Sequence, residues 1–152
     1  LWTVPNIYCQ KSPAEEFTAT IKINFVPRFE NEKFGMVVLG NDYAGITLVK
    51  TKNGIDIRLY EKQNATDGKE DILTDKTENI SSNNFFLRVV VSKGAACTFY
   101  CGTDGINYTR LGKVFTAKPG KWVGAKIGLY GTRKNITNDA GYADIDWIHF
   151  DK

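Results

Sequence analysis

Residues 17–25 read Phe-Thr-Ala-Thr-Ile-Lys-Ile-Asn-Phe, so Phe17, Ala19, Ile21, Ile23 and Phe25 fall on one face and polar or small side chains on the other. A period of two this regular commits the segment to a strand with one buried face, and Pro27 stops it. The same signature recurs at a steady beat. Phe34 to Leu39 is followed by the Gly40-Asn41-Asp42 turn and by Tyr43 to Lys50. Asn53-Gly54, a two-residue hairpin signal, leads into the alternating run Ile55 to Tyr60. Residues 62–70 are polar and predict a loop before a short strand from Ile72 to Lys76. Phe85 to Ser92, Ala95 to Cys101, Tyr108 to Phe115, Trp122 to Tyr130 and Tyr142 to Phe150 complete the series, separated by Lys93-Gly94, Asp104-Gly105 and Pro119-Gly120. Composition agrees: Val, Ile and Thr number 37 against 8 Leu and 1 Met, which suits pleated sheets and excludes a helical bundle. About ten strands with short turns predict an all-β chain. The expected architecture is a two-sheet antiparallel β-sandwich of jelly-roll type, forming a single domain over residues 1–152.

Charge and cysteine content exclude several classes of function. The 20 Lys and Arg are mixed with 17 Asp and Glu, and no basic stripe of the kind that tracks nucleic acid occurs. No apolar stretch approaches the ~20 residues that a membrane-spanning helix needs. Cys97 and Cys101 are four apart in a strand, hence ~13 Å from each other, too far for a disulfide. With Cys9 they predict three buried or partly buried thiols. A lone His149 and no Cys-x-x-Cys pair argue against zinc. His149 also lacks a Gly-x-Ser-x-Gly elbow to serve, and is expected to be a half-buried strand residue. The start at Leu1, without Met, suggests an excised or processed piece.

Two groups of residues carry possible chemistry. Asp144 and Asp146 would share one face of a strand with Cα atoms ~6.6 Å apart. Glycosidic cleavage uses two carboxylates facing each other across a sugar, usually from separate elements, so a structural role, or calcium held with carbonyl help, fits this pair better. The second group is Trp122, Lys126 and Tyr130, which share one face of a strand whose other face, with Val123, Ala125, Ile127 and Leu129, is core. Gly124 and Gly128 leave that face without bulky neighbours, so it could stack sugar rings or be covered by a partner. Asn-x-Ser/Thr sequons at Asn64, Asn79, Asn107 and Asn135 matter only in a secreted eukaryotic chain.

Two stretches carry a family resemblance: Phe86-Leu87-Arg88-Val89 through Cys97 to Cys101, Thr103-Asp104-Gly105 and Leu111 to Phe115; and Pro119-Gly120-Lys121-Trp122-Val123-Gly124-Ala125-Lys126 through Tyr130, closing with Gly141 to Trp147. Together with Pro5-Asn6, Gln10-Lys11, Glu16 to Thr20 and Gly40 to Ala44, they resemble the C-terminal β-sandwich of glycoside hydrolase family 43 enzymes, chiefly β-xylosidases and arabinofuranosidases. The resemblance implies a concanavalin A-like fold without catalytic residues, packed against a separate propeller that holds the catalytic carboxylates. It also implies that one loop, by position the Leu39 to Tyr43 turn, reaches the rim of the partner's pocket, and that related modules bind xylan. Asn41, Asp42 and Tyr43 thereby join Trp122, Lys126 and Tyr130 as candidate carbohydrate-binding or interdomain residues. Cys101 stands where family members usually have Ser. The family domain also usually begins a few dozen residues before Leu1, which points to a fragment of a longer multidomain glycosidase. The leading expectation is a non-catalytic accessory or carbohydrate-binding module, partnered by a catalytic glycosidase domain and a plant cell-wall polysaccharide such as xylan. The alternatives are a small glycosidase using Asp144 and Asp146, or a purely structural interaction domain.

Overall fold

The computed structural model describes residues 6–65, 69–119, 124–134 and 137–152. Eleven strands follow in order: β1 (Ile7–Lys11), β2 (Phe17–Val26), β3 (Lys33–Leu39), β4 (Tyr43–Thr51), β5 (Gly54–Lys62), β6 (Ile72–Ile80), β7 (Asn84–Ser92), β8 (Ala96–Gly102), β9 (Thr109–Thr116), β10 (Lys126–Thr132) and β11 (Tyr142–Asp151). They form a six-stranded sheet, β1-β10-β3-β4-β5-β6, and a five-stranded sheet, β11-β2-β7-β8-β9, with every pairing antiparallel. The expected two-sheet sandwich is present.

The alternation in β2 does what its period requires. Phe17, Ala19, Ile21, Ile23 and Phe25 are all buried, and they meet Phe34, Met36 and Val38 of β3, Ala44, Ile46 and Leu48 of β4, and Phe85, Leu87 and Val89 of β7 in one core between the sheets. Ile127 and Leu129 join it from β10, with Ala125 packed against it. Cys97 and Cys101 lie in the same core, and burial pushes both thiols up to about 11.

Four expectations are corrected. β1 was not predicted, because Ile7 to Lys11 has no apolar alternation. It is an edge strand whose pairing with β10 supplies its order. Cys9 lies on it and is exposed rather than buried or half-buried. β6 runs four residues beyond Lys76 because β5 continues to pair with it as far as Ile55↔Ile80. The strand expected from Trp122 begins at Lys126, residues 124 and 125 lying outside it and Trp122 and Val123 outside the described residues.

β11 holds one irregularity of consequence. Its register to β2 shifts between Ile145↔Ile23 and Trp147↔Lys22, leaving Asp146 as the extra residue of a bulge. Without the bulge, Trp147 would point inward with Ile145; with it, Asp146 and Trp147 both lie outside while Ile148 and Phe150 return to the core. His149, on the outer face, is exposed rather than half-buried and stacks on Trp147 with ring centroids 4.2 Å apart.

Candidate functional site

The outer face of the six-stranded sheet is not a bare surface. Along β4, every residue from Tyr43 to Val49 is buried, although Tyr43, Gly45, Thr47 and Val49 point away from the sandwich core. A second small cluster forms there from Val37, Tyr43, Ala65 and Tyr130, with Ile7 and Leu39 packed against it. What covers it is the segment after β5. Asp42 anchors this segment: its carboxylate accepts from the Asn64 backbone N–H at 2.8 Å and pairs with the Lys118 ammonium at 2.7 Å. The Ala65 N–H donates to the Asn41 carbonyl at 2.9 Å. Further along, Lys62 donates to the Lys69 carbonyl at 2.6 Å, and the Tyr43 hydroxyl donates to the Asp71 carboxylate. These bonds hold the Asp42 carboxyl below the usual carboxylate range, the Lys118 ammonium contributing most and the Asn64 N–H next.

Between this covering segment and the sheet lies a cleft of about 420 Å³. Its floor is the hydroxyl pair of Thr47 on β4 and Tyr130 on β10, 2.5 Å apart. The Tyr130 ring is seated against Gly35, opposite it in register, where a Cβ would come within 2.7 Å of the ring. Burial raises the Tyr130 hydroxyl to about 12, so it is a neutral donor and acceptor at ordinary pH. One wall is Tyr60 of β5, its hydroxyl accepting from Arg58 at 3.4 Å; Arg58 is fixed in turn by Asp56 at 2.7 Å. Lys33, Thr132, Glu70 and Asp71 complete the rim.

The residues singled out from sequence separate into three places. Tyr130 lies in this cleft with only 8% of its surface exposed, so it is not part of an open strip. Lys126 is half-buried at the other end of β10, between Leu39 and Lys11. Trp122 lies outside the described residues. The strip expected to be free of bulky neighbours is filled at Gly128, where a Cβ would meet Ile7 at 2.9 Å, Cys9 at 3.1 Å and Val37 at 3.2 Å. The unpredicted β1 supplies two of those three contacts. At the Leu39 to Tyr43 turn only Asn41 is exposed; Asp42 and Tyr43 are 5% and 2% exposed, with their polar atoms turned to the covering segment. Asp42, although in the Gly40-Asn41-Asp42 turn, and Asp56 on β5 are buried structural acceptors. Asp144 and Asp146 lie on the far side of the molecule, exposed on the five-stranded sheet, where Asp146 pairs with Lys22 at 2.5 Å. Among the described residues no group of three His, Cys, Asp or Glu side chains gathers as a metal site would require.

Two features escaped the sequence reading. The cleft had a signal, since the nearly continuous apolar run Tyr43 to Val49 is what a strand buried on both faces looks like. Glu32 had none. It is 5% exposed and its carboxylate accepts from the N–H groups of Arg28 at 2.6 Å, Phe29 at 3.2 Å and Gly141 at 3.1 Å, and from Arg133 at 3.3 Å. Burial pushes this carboxyl up, but those four donors together outweigh it and hold it below its ordinary value. Glu32 ties the β2–β3 and β10–β11 connections together at one end of the sandwich.

Residues 1–151 match the family described as the beta xylosidase C-terminal concanavalin A-like domain. A β-xylosidase of Formosa agariphila is 38% identical over 72 residues, 47% of this chain and 12% of that protein. The non-reducing end α-L-arabinofuranosidase BoGH43B of Bacteroides ovatus is 24% identical over 96% of this chain and 28% of its own length. Among solved structures, the bifunctional GH43-CE of Bacteroides eggerthii superposes with a TM-score of 0.82 at 19% identity, over 97% of this chain and 19% of that one, a likeness of fold. The chain thus spans less than a third of either curated relative. By its match from the first residue to the last but one, and by its two-sheet architecture, the chain belongs to the family of β-xylosidase C-terminal concanavalin A-like domains.

Proposed function

We propose that this chain is the non-catalytic accessory domain of a glycoside hydrolase acting on xylan or arabinoxylan, packing against a catalytic domain and adding weak affinity for the polysaccharide. The observation that carries this reading is that the family match fills the chain while the matched residues cover only 12% and 28% of its two curated relatives, a β-xylosidase and an arabinofuranosidase. The carboxylates support it. A glycosidase needs one carboxyl whose pKa is raised so that it can donate a proton, and a second facing it across the sugar. Glu32, Asp42, Asp104 and Asp139 are all held below the ordinary range by hydrogen bonds, and Asp144 and Asp146 share one exposed strand.

The isolated chain is expected to leave aryl β-D-xylosides and aryl α-L-arabinofuranosides intact. Hydrolysis that disappears in Asp146→Asn would overturn the reading in favour of a small glycosidase. In native gels containing soluble xylan, the chain is expected to migrate more slowly than in xylan-free gels. Equal mobility would assign it a purely interdomain role.

A further inference from the structure

We infer that the cleft between Tyr60 and the 69–71 segment, over β4, β5 and β10, is a binding site for a short neutral saccharide, taken as a chain end or a single-sugar branch. The inference deepens the accessory reading and rests on it. Its first support is shape. About 420 Å³ lies within the ~300–1,000 Å³ of small-ligand sites, and the covering segment closes one side, so the site admits an end or a branch and not a long backbone lying across the sheet.

The second support is the chemistry of the floor. In the Thr47–Tyr130 pair one hydroxyl donates to the other, so one proton and several lone pairs of these two cleft-lining groups remain outside that bond. A sugar hydroxyl, donor and acceptor at once, satisfies both. The Tyr60 ring beside it is fixed through Arg58 and Asp56, so it offers a flank at little cost in side-chain entropy. The Lys33 ammonium lies over that ring at 6.0 Å from its centroid, the outer limit of a cation–π contact, so the ring is not closed off by a tight stack.

Charge selects the ligand class. The cleft is lined by two lysines, Lys33 and Lys69, and two carboxylates, Glu70 and Asp71. Such a balance gives an anion no net attraction, while Lys33 and Glu70 at the rim can bond to vicinal hydroxyls. The aromatic face on the other sheet lacks these properties. Trp147 has one face taken by His149, stacked at 4.2 Å, with Phe86 tilted toward it at 6.1 Å.

The test is a titration of the 152-residue chain with xylobiose, followed by amide chemical shifts, with glucuronic acid as the charged comparison. Saturable shifts for xylobiose, centred on Thr47, Tyr60 and Tyr130, are expected. Tyr60→Ala at the wall and Thr47→Val at the floor should each weaken binding about tenfold, and Trp122→Ala should leave it unchanged. Tyr60 is half-exposed, so its variant remains informative if Thr47→Val folds poorly. Absence of shifts with xylobiose, tighter binding of glucuronic acid, or loss on Trp122→Ala with retention in the other two would overturn the inference. Slowed migration in xylan gels that persists in Tyr60→Ala and Thr47→Val would likewise sink the cleft while leaving the accessory reading intact.

Discussion

The two outer faces of this sandwich handle side chains of similar size in opposite ways. On the six-stranded sheet, Val37, Tyr43 and Tyr130 are at most 8% exposed, because Ala65, held in place by the Asp42 latch, packs over them. On the five-stranded sheet, Phe86, Arg88, Tyr100, Tyr108 and Trp147 remain half-exposed and several meet side chain to side chain: Arg88 lies 3.7 Å from the centroid of the Tyr108 ring, and Trp147 has His149 stacked on it and Phe86 tilted against it. An outward aromatic is therefore not in itself a sign of a binding surface. Where backbone crosses the face, the aromatic becomes the floor of a cavity. On the other face, aromatic and cationic side chains stack on each other instead.

The comparison predicts unequal costs for removing one ring from each face. Tyr130→Ala should destabilise the fold by about 3–4 kcal/mol in urea unfolding, since it empties a buried site and strips Thr47 of its partner. Trp147→Ala, although it deletes a larger side chain, should cost about 1–2 kcal/mol, because much of that ring already meets water. Equal costs would mean that the covering segment contributes nothing to the first face.

The latch is the next place to press. Asp42→Asn keeps the shape but loses the charge that meets Lys118, and is expected to cost about 2 kcal/mol at neutral pH. Its folded pKa lies below the value of about 3.9 that it has when unfolded, so its contribution is complete above that value and is lost as pH falls through the folded pKa. A plot of stability against pH should therefore have a shallower acid limb in Asp42→Asn than in the parent. Glu32, shifted the same way, keeps part of that limb in both. Faster amide exchange at Asn64 and Ala65, with β7 and β8 unchanged, would localise the effect to the covered face.

What the residues revealed and what they hid follows the same division. Inner faces were legible because burial there is set by strand period alone: Phe17 to Phe25 alternates, and every second residue is core. The covered outer face depends on a segment with no period of its own, tied down through contacts of Asn64 with Asp42 and of Asp71 with Tyr43, residues 22 and 28 apart in sequence. β1 was hidden for a similar reason, since its order comes from β10, about 120 residues away, and not from Ile7 to Lys11. Tyr130 was found as a residue, yet its neighbours were not, and the strip that seemed open at Gly128 is filled by Ile7 and Cys9. The bulge at Asp146 could have been suspected from Ile145-Asp-Trp-Ile148, where strict alternation would turn Ile148 and Phe150 outward and Trp147 inward.

The smallest effect belongs to the open face and separates proximity from strength. Lys22 and Asp146 approach to 2.5 Å, closer than Lys118 and Asp42 at 2.7 Å, so distance alone would rank them first. Their side chains are 36% and 57% exposed; in the second pair Lys118 is 64% exposed, but the Asp42 carboxylate that it meets is only 7% exposed. Water and salt screen the first pair, and ordering two exposed side chains offsets much of what attraction remains, so such pairs contribute about 0–1 kcal/mol. Asp42 also receives a backbone N–H that no water replaces when its charge is removed. Asp146→Asn is thus expected to change stability by less than about 0.5 kcal/mol, a difference that fades at ~1 M salt, while the effect of Asp42→Asn persists there. A cost for Asp146→Asn equal to that of Asp42→Asn would show that the bulge in β11 depends on its carboxylate, and that the face described as open is held by a latch of its own.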